Sequence, residues 1–184
     1  METRLTIAQA TENLYGSFAT YTSLSQKGEP SDNNIYFLST SSTGIKLARA
    51  PSASPTDRST FRYFYPSDGS WAKTQPHVSN TLANILTWSY TNPYDGSRHG
   101  PGTGDVFWNV YYGTYLLVFQ SDGISSAFFV SYSTSGMVTG PWSEPVQFWN
   151  PPVNSMCTKW SPNWNFNYAV SERRLDEGEE GNVC

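Results

Sequence analysis

Between Gly100 and Trp149 the hydrophobic and polar residues of this chain fall into four short runs rich in β-branched and aromatic side chains. The runs are Val106 to Val110, Thr114 to Gln120, Ala127 to Ser133 and Pro145 to Trp149, separated by turn signals at Tyr112-Gly113, Asp122-Gly123 and Gly140-Pro141. Apolar runs bounded in this way predict a four-stranded antiparallel meander. A meander of that size builds a propeller blade more readily than half a sandwich. No stretch at helical period is long enough to compete with it.

A second, more degenerate copy precedes the first. Phe18 to Leu24, Asn34 to Thr40, Gly44 to Ala50 and Phe61 to Tyr65 are its strand candidates, and Ser-Asp-Asn, Ser-Ser-Thr-Gly and Pro-Thr-Asp-Arg are its turns. The copies share a rhythm: IYFLST answers YLLVFQ, IKLARAP answers FFVSYST, and FRYFY answers PVQFW. Repeated antiparallel units are what a propeller needs, because each sheet covers its faces only against its neighbours. The expected fold class is therefore all-β, with antiparallel four-stranded blade-like sheets of a partial β-propeller over residues 13–152, in two blades at 13–72 and 83–152.

Lys73 to Gly104 lies between the clear blocks. Its LANILTWSY run reads as a short strand or insertion, and TNPYDGSRHGPGTG reads as a long loop, a kind of segment that often carries function. From about Pro151 the strand pattern fades, and the last fourteen residues, SERRLDEGEEGNVC, hold seven charges. That composition cannot bury apolar surface, so residues 153–184 are expected to form an irregular, disordered tail.

Composition narrows the function classes. The formal charge is −4 with scattered basic residues, which gives no footprint for a phosphate backbone and argues against nucleic acid. No apolar run approaches the roughly 20 residues that span a bilayer, and the start, METRLTIAQATENLYG, lacks the design of a secretory signal. Cys157 and Cys184 stand outside the strand-patterned region in no metal-ligand spacing with each other, His77 or His99. Neither a metal nor another cofactor is expected.

Two blocks carry a family resemblance. KLARAPSASPTDRSTFRYFYPSDGSW, and GDVFWNVYYGTYLLVFQ followed by SYSTSGMVTGPWSEPVQFW, resemble a family of microbial, especially fungal, β-propellers long filed as a domain of unknown function. The family is allied to five-bladed propeller glycoside hydrolases, arabinanases among them, and some of its bacterial members are endo-D-arabinanases. The resemblance spans about Asn13 to Pro152. It implies action on, or binding of, furanosidic polysaccharide such as arabinan, and an extracellular parent. Five blades would be expected where this chain offers about two, which predicts a fragment, a shortened product, or a piece that self-associates through open blade edges.

Candidate site residues follow from both sources. In sugar-cleaving propellers the catalytic carboxylates enter the axial funnel from innermost strands, and the resemblance puts Asp105 at the matching place. Period-two alternation sets Asp105, Phe107 and Asn109 on one face and Val106 and Trp108 on the other. Asp105 read without the family is a turn residue bonding its own backbone. Asn109 can both donate to and accept from sugar hydroxyls. Arg98 and His99 end the expected loop within reach of a ligand, with plain exposure as the alternative. Tyr111 and Tyr112 offer flat faces to a sugar ring or serve as hairpin residues, whereas Trp108 is expected to pack between blades. Glu12 is read as a solvated charge, Glu144 as structural, and Asp57, Asp68 and Asp122 as turn residues. Glycoside hydrolysis needs an acid and a second carboxylate, of which one credible member is visible. A non-catalytic carbohydrate-binding or protein-interaction module is thus the competing reading.

Overall fold

A computed structural model describes residues 13–23, 25–91, 96–121 and 127–149. The described chain is all-β apart from two short 3-10 turns, at Arg58–Thr60 and Thr81–Ala83. The first sheet runs β1 (Ala19–Thr22), β2 (Asn34–Ser41), β3 (Gly44–Pro51), β4 (Arg62–Tyr65) and β5 (Ser70–Ala72) in antiparallel sequence order, and β6 (Asn84–Thr87) also pairs with β3. A small hairpin follows, β7 (Tyr90–Thr91) with β8 (Arg98–His99). The second sheet is β9 (Pro101–Asn109), β10 (Thr114–Ser121), β11 (Phe128–Tyr132) and β12 (Val146–Trp149), an antiparallel meander. The eight expected strands are present within a few residues of their expected bounds. The first sheet is larger than four strands, because β5 extends it as a hairpin partner of β4 and β6 returns to β3.

One expectation is corrected. The segment 91–104 is not a long loop: Thr91 and Arg98–His99 are paired, and Pro101 to Gly104 open the nine-residue β9. Two of its glycines, Gly100 and Gly104, reflect crowding. A Cβ on Gly100 would lie 2.6 Å from the Ser41 carbonyl oxygen, and one on Gly104 would lie 2.5 Å from the Val118 carbonyl oxygen and 2.6 Å from Phe18 Cζ. Residues 92–95, the tail with Cys157 and Cys184, Glu12 and Asp122 lie outside the described residues.

Both sheets contribute to one core. In β10 the side chains alternate, Tyr115, Leu117 and Phe119 being buried and Leu116, Val118 and Gln120 half-exposed. The buried set meets the first sheet edge to face, Tyr21 against Tyr115 with ring centroids 5.3 Å apart, and Phe18 lies 6.4 Å from Phe119. Trp88 joins from the segment after β6, 5.1 Å from Phe119 and 4.5 Å from Phe129. Full burial of side chains of this size contributes about 1.5–3 kcal/mol each, so this seam holds the two sheets together. The two edge strands β1 and β9 lie beside each other along it.

Polar stitching holds β6 in register. Lys46 is buried, and its Nζ donates to Asn84 Oδ1 at 2.8 Å and the Val78 carbonyl at 2.9 Å. Burial beside neutral acceptors lowers its pKa. The Asn84 amide in turn donates to the Thr43 carbonyl at 3.2 Å.

Gly104→Ala tests the seam. The new methyl meets backbone and ring atoms inside van der Waals distance, so the expected loss is about 1–3 kcal/mol in urea unfolding. Gly69→Ala, where nothing stands within 4 Å and only a φ of +69° is strained, is expected to cost on the order of 1 kcal/mol.

Candidate functional site

Asp105 sits in the middle of β9, opposite Val118 of β10. The alternation read from the sequence is present: Val106 and Trp108 are buried, while Asp105, Phe107 and Asn109 are half-exposed on the other face. The Asp105 carboxylate accepts the Val106 N–H at 2.8 Å. It therefore bonds its own backbone, as the turn reading expected, yet does so from within a strand. Register extends its face across the sheet through Val118, Val130 and Val146, with Phe107, Leu116 and Tyr132 forming the next row. The described strand residues on this face include no second carboxylate.

Gln120 belongs to the same face and was missed. It follows Val118 by one alternation, and its buried Oε1 has no hydrogen-bond partner among the described residues. The β10 pattern alone places it beside Leu116 and Val118. Its nearness to Asp105 depends on the β9–β10 register, which the sequence leaves open.

The remaining candidates are spread along the strand. Asn109 closes the β9–β10 hairpin: its Oδ1 accepts from the Tyr112 N–H at 3.0 Å and its carbonyl from the Gly113 N–H at 2.8 Å. Tyr111 and Tyr112 cap that turn, 89% and 70% exposed, with rings edge to face at 4.9 Å. Arg98 and His99 stand at the opposite end of β9, where Arg98 donates to Ser89 Oγ at 2.6 Å and His99 Nε2 lies 2.6 Å from Ser97 Oγ. At about 3.3 Å per residue, β9 separates the two groups by roughly 26 Å. One small ligand cannot touch both.

Trp108 packs between the sheets, as expected, its ring 5.0 Å from Tyr115 and its Nε1 donating to the Lys27 carbonyl at 3.2 Å. Asp57 and Asp68 are turn residues, accepting from the Ser59 and Ser70 N–H groups respectively. Glu144 is exposed in the β11–β12 connection, where Ser143 bonds back to Tyr132 and Ser131.

The other two carboxylates near the seam belong to the β1–β2 connection. Glu29 accepts from the Tyr21 hydroxyl and, at 2.8 Å, from the Gln26 N–H. Asp32 accepts from the Tyr36 hydroxyl at 2.5 Å, with Arg49 at 3.7 Å stacked in turn on the Trp71 ring. Burial works to raise the Asp32 carboxyl, but hydrogen bonds from Tyr36 and Asn34 and the Arg49 charge together hold it below the ordinary range. The adjoining Pro30 carbonyl takes the Tyr115 hydroxyl, which ties this connection to the Trp108 face of β9. Asp105 projects from the opposite face, so neither acid is its partner. Among the described residues no group of three His, Cys, Asp or Glu side chains is placed to hold a metal ion.

Comparison with known proteins adds little. No family model and no curated protein matches the chain. Among solved structures it is similar to a candidate hydrolase from Bacteroides ovatus ATCC 8483, with 20% identity and a TM-score of 0.49, over 67% of this chain and 28% of that one. The chain thus spans less than a third of that protein's length.

Burial raises the pKa of Tyr15, Tyr21 and Tyr36, and pushes Tyr115 up to about 12. Each folded-state value exceeds the unfolded one, so these groups lend full stability below about pH 10 and lose it as pH rises toward their folded values. Lys46, shifted the other way, offsets part of the fall. Melting temperature is expected to drop by several degrees between about pH 9 and about pH 11, and less steeply in Tyr36→Phe. A flat profile would contradict the packing described for these hydroxyls.

Proposed function

We propose that this chain forms two blades of a β-propeller of the glycoside-hydrolase-like kind, binding furanosidic polysaccharide weakly and not cleaving it as it stands. The observation that carries the reading is the side-by-side placement of the edge strands β1 and β9, the arrangement that innermost strands of adjacent blades adopt around an axis. Asp105 then belongs to an inner strand, as the resemblance implies for a catalytic carboxylate. Support for binding without turnover comes from the chemistry of its face. Cleaving a glycosidic bond divides labour between two carboxyl groups, and the described strand residues around Asp105 supply Phe107, Gln120 and Val118 instead. Tyr111 and Tyr112, exposed at the hairpin, supply stacking surface for a sugar.

The competing reading, a protein-interaction module, predicts no glycan affinity at all. Titration of arabinan oligosaccharides by heteronuclear NMR is expected to show binding on the order of 1 mM, equivalent to about 4 kcal/mol. Replacing Tyr111 and Tyr112 together by alanine should weaken it about tenfold, the equivalent of about 1.4 kcal/mol. Reducing-end assays should stay at background. Turnover lost in Asp105→Asn would establish an enzyme; absence of any binding would remove the carbohydrate reading.

A further inference from the structure

The second sheet has one face covered by the first sheet and one open. On the open face the register sets Leu116 beside Tyr132 in one row and Asp105, Val118, Val130 and Val146 in the next. Tyr132 and Val146 are 52% and 62% exposed, and the exposed rings of Phe148 and Trp149 continue the apolar surface to the end of β12. A face this apolar on a single sheet normally has a partner.

The chain runs on for 35 residues past Trp149, starting at the edge of this face. Those residues are of two kinds. Residues 171–184 carry seven charges, whereas residues 150–170 carry one, Lys159, and hold Trp160, Trp164, Phe166 and Tyr168. The charges that oppose burial thus belong to the last fourteen residues, and the aromatic stretch before them has apolar surface to cover. Charge matches as well: Asp105 is the one charged residue among the described strand residues of the open face. Reach is sufficient. Crossing from β12 to β9 takes three strand spacings, about 14 Å, and the ten residues from Trp149 to Lys159 span up to about 33 Å when extended. Pro151 and Pro152 offer no N–H to a sheet ladder, which suits a departure from the strand direction at that point.

We propose that residues 153–170 of this chain cover the open face of the second sheet, with their aromatic side chains on Tyr132, Val146 and Phe148 and with Lys159 beside Asp105. The contact is intramolecular. It narrows the expected irregular tail to residues 171–184, and it does not draw on the carbohydrate reading.

Cys157 lies inside the segment and gives it a native attachment point. In the full chain carrying Cys184→Ser, a nitroxide spin label on Cys157 is expected to abolish the amide signals of Val118 and Val130 in heteronuclear NMR spectra. Tyr132→Lys with Val146→Lys, both at exposed positions, should restore those signals, the melting temperature verifying that the variant folds. Trp160→Ser with Trp164→Ser should restore them too, without altering the sheet. Signal loss confined to Gln147, Phe148 and Trp149 would overturn the proposal, because the label would then stay beside β12. So would loss at Val118 and Val130 that persists in both variants. Mixing spin-labelled chains with isotope-enriched, unlabelled chains separates the two origins of a contact: intact Val118 and Val130 signals are expected, and their loss would mean that a second copy supplies the segment, which would also overturn it.

Discussion

The close approach of β1 and β9 at Gly104 is the constraint on which the rest of this structure depends. The Phe18 ring occupies the space that a side chain at position 104 would need. With that space free, Tyr21 reaches Tyr115 and Phe18 reaches Phe119, and the two sheets share one core. The seam also positions the β1–β2 connection: Lys27 and Pro30 offer their carbonyls to Trp108 and Tyr115, and Glu29 and Asp32 are held by the hydroxyls of Tyr21 and Tyr36. Three tyrosine hydroxyls, those of Tyr21, Tyr36 and Tyr115, are thus committed to packing and not to ligand contact, their burial being what raises their pKa.

The same seam decides what Asp105 can do. Because β9 turns its Val106 and Trp108 side inward, Asp105 faces away from every carboxylate of the β1–β2 connection. A strand with period two cannot serve both sides of a sheet with one residue set. The open side is chemically mixed, an acid and amides along β9 and β10 followed by aliphatic rows toward β12. That composition suits a polar inner rim beside an apolar flank.

Strand alternation and turn residues made most of the fold legible. In β10 the pattern from Tyr115 to Ser121 has one inward residue at every second place, and such a run admits little ambiguity. The stretch from Thr91 to Gly104 misled because glycine and proline signal turns in isolation, whereas Gly100 and Gly104 are present for close approach to Ser41 and Phe18, which lie far away in sequence. The β6 strand was half legible: LANILTWSY is apolar enough for a strand, but its return to β3 is fixed by the buried Lys46 and Asn84, a pairing across 38 residues that no local pattern encodes. For the site, alternation correctly grouped Asp105 with Asn109 but could not reveal that Asn109 is engaged in the hairpin, that Gln120 joins the face, or that a full strand length parts His99 from Tyr112.

The most direct test of the stacked-sheet arrangement is a nuclear Overhauser measurement on labelled protein. Cross-peaks between the Phe18 ring protons and the Gly104 α protons, together with an upfield ring-current shift of those α protons, are expected from the contact between them. Intact cross-strand peaks within each sheet, with no Phe18–Gly104 peak and an unshifted glycine, would contradict it, because the two sheets would then fold without stacking along β1 and β9.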